Sequence, residues 1–148
     1  MAVASSTRDS VALANRLRPV VVQLSRHLRR ELHLLGVSAG QVSILGAIRE
    51  KPGTGVAELA VREGTSVPSI CSHIDRLEEG GLVTRSRDET GDRRRVGLRI
   101  TADGERVLRA VRSRRTAWLA TRLDALTPAD RARIAAAVDA LTELVPQR

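Results

Sequence analysis

Thr65, Ser66, Pro68, Ser69, Ser72, His73 and Arg76 lie close together near the middle of this chain, and Arg85, Arg87, Arg93, Arg94 and Arg95 follow soon after. Serine and threonine hydroxyls donate or accept hydrogen bonds, and guanidinium groups donate in a rigid, always charged fork. Such a set is suited to holding phosphate oxygens and base edges. It does not suit bond breaking. Nucleophilic or metal chemistry would need a base or a ligand cluster, and His27, His33, His73 and the lone Cys71 are scattered. There is no clustered Ser/His/Asp set, no glycine-rich phosphate loop and no metal-ligand spacing. The expectation is a binding protein that is not an enzyme, with no cofactor and no metal.

The charge balance points the same way. The net charge is +8 over 148 residues, and Lys51 is the only lysine among 25 basic side chains. A basic excess of this size favours nucleic acid or another polyanion as partner. A genome rich in G and C would explain the choice of arginine over lysine, but not where the arginines cluster. Hydrophobic residues make up 42% of the chain and aromatics 1%, with Trp118 alone. The core must be Leu, Val, Ile and Ala, which suits helix-on-helix packing. One cysteine excludes an intrachain disulfide. No apolar run approaches the roughly 18 residues that span a membrane. The start, MAVASSTRDS, has no apolar segment followed by a cleavage signal. The chain is therefore expected to be cytoplasmic, with no membrane partner.

The elements that must position the polar set follow from periodicity. Val56, Leu59 and Ala60 give one apolar side to a short helix, Gly64-Thr65 makes a turn, and Ser66 caps a second helix with Pro68 in its first turn. That helix ends at Gly80-Gly81. At about 100° per residue, Val67, Ile70, Ile74 and Leu77 face a core, and Pro68, Ser69, Ser72 and Arg76 face away. His73 lies on a flank, open to either contact with a partner or a capped, partly buried place. Taken alone, such a face also suits a solvated helix. The adjoining segment adds weight to contact: Leu82–Arg87 and Arg95–Thr101 read as strands, with Val96, Leu98 and Ile100 on one side and Arg95, Gly97 and Arg99 on the other. The tip between them carries Arg93, Arg94 and Arg95, able to enter a narrow minor groove, although taken alone it also suits an exposed, charged loop with no partner. Asp92 there would hold an arginine in place through a bidentate pair.

Long helices flank this head. From Ser10, Val11, Leu13, Leu17, Val20, Val21, Leu24, Leu28, Leu32 and Leu35 recur at helical spacing. Residues 1–9 are expected to fray, Pro19 to kink or split the helix, and Gly36 to end it. Ser38 and Gln41 form a capping box for a helix reaching about Glu50, with Val42, Ile44, Leu45 and Ile48 inward, stopped by Lys51-Pro52-Gly53. Thr101 caps a third long helix bearing Val107, Leu108, Val111, Trp118, Leu119, Leu123 and Leu126. Thr127-Pro128-Ala129-Asp130 opens a last one with Ile134, Val138, Leu141, Leu144 and Val145 along one stripe. The fold class is mostly α with a small β-hairpin wing: a winged helix-turn-helix lobe over 38–100, between helices at 10–35 and 101–146, in a single domain of 148 residues.

Two motifs then resemble a known family, the MarR-type transcriptional regulators. LAVREGTSVPSICSHIDRLEEGGLVTR (59–85) is similar to the family's reading helix and its exit. GDRRRVGLRITADGERVL (91–108) is similar to its wing signature, with Ile100-Thr101 where the family often has Leu-Thr. The likeness runs from about Leu13 to Leu144. It implies a homodimer joined by its terminal helices and binding double-stranded DNA at a near-palindromic operator, usually as a repressor and often released by a small molecule. It places Ser66, Pro68, Ser69, Ser72, His73 and Arg76 along the major groove, and Arg94, held by Asp92, in the minor groove. Branches that sense hydroperoxides resemble one another in an N-terminal cysteine and nearby tyrosine; here there is no tyrosine, and Cys71 reads as a packing residue. An effector site could draw on Trp118, with Arg26 or Arg30 meeting a carboxylate. The alternative is a winged-helix interaction module whose arginines dock an acidic protein.

Overall fold

The structure, a computed structural model, describes the backbone of residues 2–87 and 96–146, with side chains for 8–86 and 96–146. In chain order the elements are α1 (Ala2–His33), α2 (Ala39–Glu50), α3 (Val56–Glu63), α4 (Val67–Glu79), β1 (Val83–Arg87), β2 (Val96–Ile100), α5 (Ala102–Asp124) and α6 (Pro128–Glu143). They fall into two compact units, residues 1–112 and 113–148. The fold is mostly helical with one small antiparallel sheet, the architecture of a winged helix-turn-helix.

Local chemistry sets most of the boundaries. The capping box forms at α2: Gln41 N–H donates to Ser38 Oγ at 3.2 Å, and Ser38 N–H donates to Gln41 Oε1 at 2.8 Å. Two N–H groups that a helix start would otherwise leave unpaired are thereby satisfied. Thr127 caps α6 with its side chain, accepting from Asp130 N–H at 3.1 Å, with Pro128 in the first turn. Between α3 and α4 the chain turns at Gly64, whose φ of +62° lies in the left-handed region where a side chain is strained.

The core of the first unit joins α2, α3, α4, the hairpin and the start of α5. Ile44, Leu45 and Ile48 meet Leu59, Ile70, Ile74, Leu77, Val83, Leu98 and Leu108 in one buried cluster. Leu32 of α1 packs with Val37 and Val111 in a second. β1 pairs antiparallel with β2, Val83 opposite Ile100 and Arg87 opposite Val96. A third segment closes the other edge of β2. Gly53 N–H donates to Leu98 O at 2.8 Å and Leu98 N–H donates to Thr54 O at 3.0 Å, which leaves Thr54 buried with its backbone satisfied.

Several expectations need correction. α1 begins at Ala2 rather than Ser10, and Pro19 does not split it. A proline removes one N–H donor and crowds one carbonyl, which long helical runs on both sides can absorb. Gly36 has the expected left-handed φ of +70°, but α1 ends at His33, and Leu35 and Gly36 form a closing turn. Periodicity predicts Val67 in the core, yet it is 45% exposed, because it is the first residue of α4 and the buried side begins at Ile70. Alternation predicts Gly97 on the outer face with Arg99, yet it is buried, since the Gly53–Thr54 segment covers it; Val96, at the outer end of β2, is exposed instead. α6 stops at Glu143, so Leu144 and Val145 lie beyond it.

Candidate nucleic-acid interface

The head is built on α4. Ile70, Ile74 and Leu77 are fully buried against α2 and α3, which fixes the rotation of the helix. The opposite side is thereby turned outward. Thr65, Ser66, Pro68, Ser72 and Arg76 are exposed there, and Ser69 is half-buried. Ser66 caps the helix by accepting from Ser69 N–H at 3.4 Å. The positive end of the helix dipole thus lies beside the exposed hydroxyls, an arrangement suited to phosphate. Small side chains over the first two turns let a helix sink into a major groove about 12 Å wide.

His73 is half-buried, and its ring lies over Gly40: a Cβ at residue 40 would stand 3.1 Å from Nε2. The structure therefore gives His73 a place between α4 and the start of α2. Cys71 is half-buried on the same helix.

The hairpin leaves α4 through Gly80-Gly81, and Thr101 anchors its return. Thr101 Oγ1 donates to Gly81 O at 2.7 Å and accepts from Gly104 N–H at 3.0 Å, while its N–H donates to Leu82 O at 3.0 Å. One residue thus caps α5 and ties β2 to the exit of α4. Arg99 lies on the exposed side of β2, its Nε donating to Ser86 Oγ at 3.4 Å. Arg85 turns toward α4: Nη2 donates to Asp75 Oδ1 at 2.8 Å and Nε to Glu78 Oε2 at 2.9 Å. Sequence reading takes Arg85 as a direct contact and passes over these two carboxylates. Counting at about 100° per residue places Asp75 in the same outward sector as Ser72, which is the signal that could have found it. Asp92, Arg93, Arg94 and Arg95 lie outside the described residues, as does the side chain of Arg87.

Arg26 and Arg30 are exposed on α1. In the second unit, the Arg122 guanidinium stacks 3.5 Å from the centroid of the Trp118 ring, and Arg122 Nη1 donates to Trp118 O at 2.9 Å. Among the described residues, no group of three or more His, Cys, Asp or Glu is placed to hold a metal ion. No described helix is long and apolar enough to cross a membrane.

Comparison with known proteins agrees with this architecture. Residues 37–96 match the MarR family model. An uncharacterised HTH-type transcriptional regulator of Mycobacterium bovis is 32% identical over 135 residues, covering 91% of this chain and 94% of its own. A crystallised protein from Pseudomonas aeruginosa is 31% identical and superposes with a TM-score of 0.79 over 95% of this chain and 98% of its own. A point mutant of Staphylococcus aureus MepR, solved bound to an oligodeoxyribonucleotide, is 19% identical. It shares the fold, with a TM-score of 0.71 over 90% of this chain and 98% of its own. With its capped reading helix, hairpin wing and flanking helices, this chain belongs to the MarR family of winged helix-turn-helix regulators, which are DNA-binding, non-catalytic proteins of transcription control.

Proposed function

We propose that the chain acts as a homodimeric repressor that reads a near-palindromic operator in double-stranded DNA and releases it on binding a small molecule. The observation that carries the proposal is the outer face of α4: exposed Thr65, Ser66, Pro68, Ser72 and Arg76, on a helix whose rotation is fixed by buried Ile70, Ile74 and Leu77. These side chains, with Ser69, lie along the major groove. Arg87, Arg93, Arg94 and Arg95 approach the backbone and minor groove, with Asp92 directing Arg94. His73 borders this surface as a flanking contact, its ring beside Gly40.

Unpartnered apolar side chains support the homodimer. In the first unit, Val11, Leu13, Val20, Val21 and Leu24 of α1 are 39–62% exposed. In the second, Ile134, Val138, Leu141, Leu144 and Val145 are 41–68% exposed. Apolar exposure on this scale marks an interaction surface, and each such side chain contributes about 1.5–3 kcal/mol when fully buried. The effector follows from the family likeness, with Arg26 and Arg30 as exposed cations for a carboxylate.

A band-shift titration on the DNA upstream of the chain's own gene tests the proposal. Selective binding is expected, with log affinity falling by about 0.9 per phosphate contact for each log unit of salt. Capture of one acidic protein, with no DNA retained at physiological salt, would replace the proposal by a protein-docking role.

A further inference from the structure

Arg85 belongs to the first strand of the hairpin, while Asp75 and Glu78 belong to α4. The guanidinium spans the two elements with separate donors, Nη2 to Asp75 and Nε to Glu78, at 2.8 and 2.9 Å. Gly80-Gly81 makes this possible by folding β1 back along the last turns of α4. The guanidinium is therefore already engaged by two acceptors. Asp75 also poses an electrostatic problem. It is 60% exposed on the outward side of the helix, where a bare carboxylate would oppose the phosphates that Arg76 and the positive end of the helix attract.

We infer that Arg85 is a positioning residue: it ties the wing to the reading helix as one body and neutralises Asp75 and Glu78 at the DNA-facing surface, without contacting DNA. This rests on the proposed DNA-reading role and assigns Arg85 a different part in it from a phosphate contact. Direction matters as well as charge. A fork can grip two carboxylates at once, whereas a lysine ammonium is a point charge and holds no fixed angle.

Four variants of the full chain test this: Arg85→Ala, Arg85→Lys, the pair Asp75→Asn/Glu78→Gln, and the triple variant combining that pair with Arg85→Ala. The three side chains are 33–60% exposed, and ion pairs this exposed contribute little to global stability, so all four variants should fold. Affinity for a selected duplex and for an unrelated one is measured across a salt series. Arg85→Ala should weaken selected binding by about three- to tenfold and compress the preference over unrelated DNA, with the salt slope unchanged. Arg85→Lys should fall between it and the parent. Asp75→Asn/Glu78→Gln should also weaken selected binding, although it removes two negative charges per chain. The triple variant should bind better than Arg85→Ala alone, because the carboxylates left bare in that variant are gone.

Three results would overturn the assignment. One is a salt slope that drops by about 0.9 for each arginine removed, the mark of a lost phosphate contact. Another is tighter binding by Asp75→Asn/Glu78→Gln. The third is simple additivity of the substitutions, since groups in one network should couple. Amide hydrogen exchange on the free protein gives an arm that needs no DNA. Protection at Val96–Ile100 should fall in Arg85→Ala, and unchanged protection would remove the tether. If the parent protein shows no selective DNA binding, the operator proposal fails by itself, and the exchange arm still decides whether Arg85 joins wing to helix.

Discussion

Ser66 performs two tasks at one position, capping α4 and standing exposed at its N-terminus. Ser66→Ala should therefore cost about 1 kcal/mol of stability as well as affinity, and cannot separate the two. Arg76 is the cleaner probe, since it is exposed in the middle of the outer face and its side chain caps nothing. Arg76→Ala is expected to lower affinity for the operator by roughly 1–3 kcal/mol, if it grips a base edge, while leaving unrelated duplexes nearly unaffected. Competition binding with a set of single-base operator variants measures this directly. Arg94→Ala should behave in the opposite manner, weakening all sequences alike and reducing the salt slope by about 0.9 per contact. Equal losses on every duplex for Arg76→Ala would move that residue from base reading to backbone binding.

At the scale of elements, caps and close backbone approaches both contribute to stability. Ser38→Ala removes the capping box of α2 and should cost about 1 kcal/mol in chemical denaturation. Gly104→Ala should cost more, at least about 1–3 kcal/mol, because the added Cβ would stand 2.3 Å from Leu82 O and 2.6 Å from Ile100 Cγ1. Normal stability in that variant would mean that α5 can shift freely against the exit of α4. These elements also show what is legible in the sequence. The caps at Ser38, Ser66, Thr101 and Thr127 are, because each is a bond between residues three apart. The buried side of α4 is legible beyond its first turn, because 3.6-residue periodicity needs no tertiary knowledge. The pairing of Thr54 with Leu98 is not, since a single bridge between distant residues leaves no pattern. The place of Arg85 is hidden for a related reason. Nothing in the spacing of a hairpin arginine names its partners, and only the Gly80-Gly81 turn lays it beside Asp75 and Glu78.

At the scale of the whole molecule, the proposed dimer would have each head read half a site. Two heads on a palindrome must lie about one DNA turn apart, roughly 34–36 Å, and the exposed apolar side chains of α1 and α6 are the proposed means of pairing them. Ile134→Asp with Val138→Asp should yield a monomer in sedimentation, with the far-ultraviolet helical signal retained because neither side chain is buried within the described chain. Operator affinity should fall by far more than the loss from Arg76→Ala, since each half-site then binds alone. An unchanged dimer would place the interface elsewhere. The central claim, that this chain reads DNA as a dimer, is tested most directly by hydroxyl-radical footprinting on genomic fragments captured by the purified protein at physiological salt. The expected result is one protected sequence class with two half-sites centred about 10–10.5 base pairs apart, or a multiple of that. Sedimentation showing an intact dimer, together with uniform cleavage and no sequence class, would contradict it.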